Sequence, residues 1–408
     1  MSLSSGSFIK DYLDYNSGNE CPRNYHIWTA LCVLSATVLN RVHYFHGYFT
    51  VFPNLYVCLV GRQGSRKSTA KDIGRDLLMS TFPEVPIGAS IQSREDIIKY
   101  MASDECLYSY VDEHGASQEL RPFVLMINEL KNFLSFNPGA TIEFLTDIYD
   151  RGGKVFNSST IKRGLENIVN PCLIMLACEV PDWIIDKLKA RVISGGFTRR
   201  MVYVYETESG PKITFPKPPP DSKKLWDRMQ EHLRKIAKIV GHFEWTPGGR
   251  EFYDRWYQSL TTPTDDVMEG YYSSKQIQLL KVAMLLALSE DEPKLLFTVD
   301  NLKQGIAMLD VIETNMPKLS IASGRNELAL PMMKALDTVE RHGGSVTPQE
   351  LKIILNKDFT PQEYFSVVRS FTDCGQLVDV KVRQNGAIVS MLATRRKWNL
   401  MKANGELL

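Results

Sequence analysis

The chain has 408 residues, a formal net charge of +1 and an apolar content of 44%, which is room for two or three soluble globular domains. So small a net charge excludes capture of nucleic acid by the field of the whole molecule, and any such affinity must come from local basic patches. Seven cysteines, none in a Cys-x-x-Cys pair and several in apolar runs, predict small buried hydrophobes in a reducing cytoplasm rather than a disulfide framework or a zinc site.

The start of the chain, Met1 to Lys10, is Ser-rich and lacks the apolar segment of a secretory leader, and no apolar run further on reaches the length of a membrane span. Residues 6–41 carry apolar side chains at helical spacing, among them Ile27, Leu31, Leu34 and Val38. From Val42 the pattern turns to β. His43-Tyr44-Phe45 and Gly47-Tyr48-Phe49 predict a hairpin, and Pro53-Asn54 punctuates the chain before a buried strand from Leu55 to Val60. An amphipathic helix is expected from Ser68 to Met79 and a strand from Ala89 to Ser93. Ser93 and Asp96 form a capping box for a helix reaching Ala102. Further buried strands are expected at Phe123–Ile127, Cys172–Ala177 and Met201–Tyr205. Strands alternating with helices predict an α/β fold built on a parallel sheet flanked by helices. A Pro-rich stretch, Pro211 to Pro220, ends this region, and helices follow at Leu225–Val240, Gly249–Leu260, Ser273–Leu288 and Val299–Asn315. The expected organisation is an N-terminal helical segment and hairpin over 1–52, an α/β core over 53–210, a helical lid over 211–322 and a small C-terminal domain over 323–408.

The run Gly61-Arg62-Gln63-Gly64-Ser65-Arg66-Lys67-Ser68-Thr69 sits between the first buried strand and the first amphipathic helix. A phosphate-binding loop has the pattern Gly-x-x-x-x-Gly-Lys-Ser/Thr in that context. Gly61, Lys67 and Ser68 match, whereas Arg66 stands at the second glycine and Gly64 lies inside the loop. Successive backbone N–H groups from Gly61 to Thr69 would wrap the phosphates of ATP as an anion nest, aided by the positive end of the following helix. In that pattern Lys67 reaches the β- and γ-phosphates and the Ser68 hydroxyl ligates Mg²⁺. The bland alternative is a strand-to-helix turn carrying surface basic residues.

ATP hydrolysis also needs an acidic group at the end of a neighbouring strand. Phe123 to Ile127 runs into Asn128-Glu129. Glu129 is the candidate general base, and Asn128 stands where a Mg²⁺-side aspartate is usual. An ordinary acidic strand end is the alternative. In an ATPase sheet the strand at Cys172 lies between the other two and its end senses the γ-phosphate; Cys178 or Glu179 would occupy that place, where Asn or Thr is usual. A core cysteine is the simpler account of Cys178. Thr198-Arg199-Arg200 then precedes a strand, which suits Arg199 as a finger reaching a neighbouring subunit's γ-phosphate; an ion-paired or solvated arginine pair is the alternative.

Phosphate loop, acidic strand, polar strand end and arginine, in that order, resemble the AAA+ P-loop ATPases. More narrowly, Asn54-Leu55-Tyr56-Val57 leading into Gly61, Ile127-Asn128-Glu129-Leu130, Asn170-Pro171-Cys172-Leu173 and Gly196-Phe197-Thr198-Arg199 look like a family of phage, plasmid and mobile-element helicase-like proteins. That similarity covers roughly residues 10–315. A fainter one links the chain to the minichromosome maintenance helicases, where Thr198-Arg199 stands for Ser-Arg. There Ser274-Lys275-Gln276-Ile277 stands for the basic sensor at the start of a lid helix. The resemblance implies a hexameric, ATP-driven DNA translocase with Mg²⁺ as cofactor, single-stranded or forked DNA as partner, and a primase or initiator beside it. It implies Lys275 near the nucleotide. It also implies that the basic hairpin Lys154 to Arg163 points into a ring channel, where Lys154, Lys162 and Arg163 contact DNA phosphates; an exposed charged hairpin is the alternative.

In the tail, Leu328 to Arg341 is helical. Thr347-Pro348-Gln349-Glu350 and Thr360-Pro361-Gln362-Glu363 each start a helix. Leu377–Arg383 and Ala387–Ala393 form a hairpin about Asn385-Gly386. Three helices and a β-wing predict a winged helix, a fold that binds DNA or protein. Lys381, Arg383, Arg395, Arg396 and Lys397 are the candidate DNA contacts. Three functions remain open: a replicative DNA helicase of a phage, plasmid or mobile element; a replication initiator or adaptor switched by nucleotide with weak hydrolysis; and a regulator that uses the tail domain alone.

Overall fold

The computed structural model describes residues 6–88, 93–135, 137–160, 164–189, 196–206, 210–261, 271–323, 329–356, 359–373, 376–384 and 387–404. The chain divides into two compact units, Met1–Pro317 and Lys318–Leu408.

The first unit is mixed α/β. Helices α1 (Phe8–Tyr15) and α2 (Arg23–Val38) lead into the antiparallel hairpin β1 (Val42–His46) and β2 (Phe49–Val51). Every residue of α2 from Tyr25 to Val38 is buried, so this helix is an inner element and its apolar residues run round all faces. Next come β3 (Tyr56–Val60), α3 (Lys67–Thr81), α4 (Arg94–Ala102), β4 (Tyr108–Val111) and β5 (Ser117–Ile127). The short α5 (Leu130–Phe133), α6 (Pro138–Tyr149), the hairpin β6 (Val155–Thr160) and β7 (Gly164–Val169), β8 (Pro171–Glu179), α7 (Pro181–Lys189) and β9 (Met201–Tyr205) complete the α/β region.

The central sheet has the order β4-β5-β8-β3-β9. β5, β8, β3 and β9 run parallel, and β4 pairs antiparallel with the start of β5. All residues of β3 and β8 are buried, the continuous apolar run that a parallel strand covered on both faces requires. β8 lies between β5 and β3, the place that an ATPase sheet gives it. The antiparallel β4 was not expected: its Tyr-Ser-Tyr-Val run is largely exposed and lacks a buried strand's apolar signature. The expected strand at Ala89–Ser93 falls mostly outside the described residues. Just before it, Ile87 bridges to Val124 in β5 in the parallel sense.

α3 packs on α2 with little space between. A Cβ on Gly74 would lie 2.3 Å from Thr29 Cγ2, so the glycine sets how closely the two helices approach. Beyond the sheet come α8 (Ser222–Ile236), α9 (Pro247–Gln258), the helix Lys275–Ser289, buried along most of its length, and the helix Val299–Ser323, most of which belongs to this unit. The segments expected as separate 1–52, 53–210 and 211–322 pieces thus share one compact unit as far as residue 317. Among the described residues no helix is long and apolar enough to cross a membrane.

The helix Lys275–Ser289 docks through polar side chains. Ser274 Oγ donates to the Arg199 carbonyl at 2.6 Å, and Gln278 Nε2 donates to the Arg200 carbonyl at 3.3 Å. Lys281 Nζ donates to the carbonyl and Oδ1 of Asn54, at 3.1 and 2.6 Å, and lies 4.0 Å from the centroid of the Tyr149 ring. Asn54 Nδ2 in turn donates to the Tyr149 carbonyl at 3.0 Å.

The second unit holds helices Ala329–Arg341, Pro348–Leu355, Pro361–Asp373 and Arg395–Ala403 and a three-stranded antiparallel sheet of order β10-β12-β11, where β10 is Ser345–Val346, β11 Leu377–Gln384 and β12 Ala387–Thr394. Its core joins Val339, Leu351, Leu355, Val367, Phe371 and Leu392. Thr347 and Glu350 form the expected capping box. The residues at the expected turn, Asn385 and Gly386, lie outside the described residues. The last helix was not expected, because Arg395, Arg396 and Lys397 open it with positive charge where a helix start favours acidic residues.

Burial holds the ammonium of Lys281 down to about 7. An unfolded chain keeps that proton up to about pH 10.4. Between these limits the unfolded state carries more protons, so this group makes stability rise with pH. The unfolding free energy of the wild type, less that of Lys281→Met, is expected to grow by up to about 1.4 kcal/mol per pH unit above neutrality and to stay flat below it. Urea titrations at neutral and mildly alkaline pH check this.

Candidate functional site

The site forms where β3 leaves the sheet. Val60 pairs with Glu179 of β8 and Tyr205 of β9, and the Gly61 N–H donates to the Glu179 carbonyl at 3.2 Å. The chain then turns through Arg62-Gln63-Gly64-Ser65-Arg66 and enters α3 at Lys67. Gly64 has φ of +79° and Arg66 of +63°. Alternation of left- and right-handed residues is the backbone pattern from which anion nests are built; within this turn the Ser65 N–H donates to the Arg62 carbonyl at 3.2 Å. Gly61 admits no side chain: a Cβ there would lie 2.2 Å from Tyr25 Oη and 2.8 Å from Ser65 Oγ.

The ammonium of Lys67 folds back across the loop. It donates to the carbonyls of Gly61 at 2.6 Å and Arg62 at 2.9 Å, and to Ser65 Oγ at 3.3 Å. Burial holds its pKa below the usual lysine range. Ser65 is buried beneath the loop, whereas Ser68 and Thr69 are exposed on the first turn of α3. The left-handed Arg66 is held from outside the loop: Glu20 Oε2 accepts from its Nη2 at 2.6 Å, and the Cys21 thiol lies 3.4 Å from its carbonyl. Glu20 also accepts the Ile213 N–H at 3.2 Å. Sequence reasoning missed both Glu20 and Tyr25, since neither lies in a motif and only the fold brings them to the loop.

Two carboxylates stand at the ends of the neighbouring strands. Glu129 follows β5 at the N-cap of α5, half-exposed, 3.2 Å from Lys131 Nζ and accepting from Asn132 Nδ2 at 2.9 Å. Asn128 beside it is exposed. Glu179 ends β8 and is 2% exposed. Burial raises its pKa, against the two backbone N–H groups that it accepts. Cys178 is wholly buried, as a core cysteine is.

The other candidates lie elsewhere. Arg199 precedes β9, whose first residue pairs with the first residue of β3. It therefore lies at the opposite end of the strands from Gly61, a strand length of about 16 Å away. Its guanidinium is exposed and has no partner among the described residues, while Arg200 is buried and paired with Asp150. Lys275 needs correction. Its ammonium is buried, 2.7 Å from Glu313 and 3.2 Å from Asp310, so two carboxylates already neutralise the charge expected for a phosphate. Lys154 is exposed just before β6; Lys162 and Arg163 lie outside the described residues. Lys381 and Arg383 are exposed on one face of β11, and Arg395 is exposed and stacks on Trp398 at 5.1 Å. Arg396 and Lys397 share the first turn of that helix.

Gly61→Ala should destabilise the chain by about 1–3 kcal/mol, because the new methyl group displaces Tyr25 Oη from its 2.7 Å bond to the Val60 carbonyl. Tyr25→Phe removes the clashing oxygen. The double variant should therefore lose less than the sum of the two single losses in urea titrations.

Comparison with known protein families finds no matching family model, and comparison with curated proteins finds no significant match, so the functional reading stands on residues and geometry.

Proposed function

We propose that this chain is an ATP-hydrolysing P-loop protein of AAA+ type that assembles as a ring, in six copies by the resemblance, and translocates on or unwinds DNA during replication of a phage, plasmid or mobile element. One observation carries the reading. A buried parallel strand runs into a loop with left-handed Gly64 and Arg66, across which Lys67 folds, and carboxylates stand at the ends of β8 and, one strand further, β5. The strand order β5-β8-β3-β9 supports it.

In this reading the loop amides and Lys67 bind the triphosphate of ATP: the left-handed Gly64 and Arg66 support a phosphate-binding turn, and Lys67 exchanges its bonds to the Gly61 and Arg62 carbonyls for phosphate oxygens. Ser68, exposed at the helix start, would hold Mg²⁺, which supplies charge neutralisation on the phosphates. Glu129 takes the proton of the attacking water, leaving its bond with Asn132 to do so. Arg199, remote from its own loop, serves the loop of a neighbouring copy and stabilises charge in the transition state. In the tail, read as a winged helix, Lys381 and Arg383 meet DNA phosphates.

A second reading, a replication initiator switched by nucleotide with weak hydrolysis, is favoured by the neutral Asn128 and by the ion pair of Glu129 with Lys131. Strand displacement on a forked substrate, with ATP turnover stimulated by DNA, selects the helicase.

Lys67→Ala should abolish ATP turnover; retained turnover refutes the site. Arg199→Ala should lower turnover by about 10³-fold with nucleotide affinity near the wild type's; lost affinity would mark a structural arginine. Lys381→Ala with Arg383→Ala should weaken DNA binding and reduce the salt slope of log K by about two, as counterion release requires. An unchanged slope would exclude this face from the DNA contact.

A further inference from the structure

Glu179 touches both halves of the site. Through its backbone it ties the start of the 61–66 loop, since its carbonyl accepts the Gly61 N–H at 3.2 Å. Through its side chain it ties the segment after β5, since Oε2 accepts the Lys131 N–H at 2.7 Å. Its other oxygen, Oε1, accepts the Val180 N–H at 2.8 Å. Both carboxylate oxygens are thus engaged, and the residue is 2% exposed. A carboxylate so anchored cannot swing to meet a water molecule, so the part of general base does not suit it. The half-exposed Glu129, two residues before Lys131, keeps that part.

We infer that Glu179 is a positioning residue which sets the distance between the phosphate loop and Glu129 through its grip on the Lys131 amide. The inference rests on the nucleotide reading above. It asks for reach and for two acceptor oxygens. Removing either should leave ATP bound but leave the base misplaced, and a misplacement of this kind costs rate rather than affinity.

Two variants test it. Glu179→Gln keeps the length but has one acceptor oxygen, so one of the two N–H groups loses its partner. Glu179→Asp keeps the charge near Lys67 but falls short of Lys131 by a methylene. Both should lower kcat by about tenfold or more, with the Kd of a non-hydrolysable ATP analogue within about twofold of wild type. Hydrogen exchange should quicken at the Lys131 amide in Glu179→Asp, and at the Lys131 or the Val180 amide in Glu179→Gln. Wild-type turnover in Glu179→Gln, or turnover restored by Glu179→Asp, overturns the inference; the second result would assign the effect to charge beside Lys67. Loss of analogue binding in step with kcat, or unchanged exchange at Lys131 in Glu179→Asp, also overturns it. A wild-type chain without any ATP turnover sinks the nucleotide reading itself, and this inference with it.

Discussion

The end of β3 is the point on which the site depends. The Val60 carbonyl accepts from Tyr25 Oη at 2.7 Å and from the Glu206 N–H at 3.0 Å, and the next N–H, of Gly61, is given to Glu179. Three elements from distant parts of the chain, α2, β8 and the segment after β9, therefore fix one peptide unit. Because β3 is buried on both faces between two parallel neighbours, a slip in register would exchange the side chains fitted to its two faces and break these end bonds. The loop that follows has a fixed origin, and Lys67 follows from it.

Much of this was legible from residues alone. The buried strands Tyr56–Val60, Pro171–Glu179 and Met201–Tyr205 announce themselves as short apolar runs, and capping boxes at Ser93 and Thr347 mark helix starts. Local rules carry that information because burial and capping act over a few neighbouring residues. The roof over the loop was not legible. Glu20 and Arg66 are 46 residues apart, and Tyr25 sits in a helix whose apolar pattern declares only that it is buried. Lys275 shows the converse failure. Its place at the start of a helix matches a sensor by position, but Asp310 and Glu313, 35 and 38 positions further on, take its charge.

Arg66 illustrates how context rescues an unfavourable local choice. A left-handed non-glycine residue costs about 1–2 kcal/mol, and most loops of this kind avoid the cost with glycine. Here the guanidinium reaches Glu20, which also receives the Ile213 N–H. The arginine thereby links the loop to the segment before α2 and to the stretch after the sheet. The exposed ion pair adds little stability by itself; its effect is to hold one backbone conformation.

The helix Lys275–Ser289 grips residues 199 and 200 by their carbonyl oxygens, not by their guanidinium groups. Main-chain acceptors are common to all amino acids. The joint is therefore blind to the side chain at position 199, and that exposed arginine can be exchanged by mutation or by evolutionary drift without unfastening the helix; Arg200, buried against Asp150, is not free in the same way. Position and chemistry at this rim are inherited separately: the helix dictates where residue 199 stands, and the codon alone dictates what it presents.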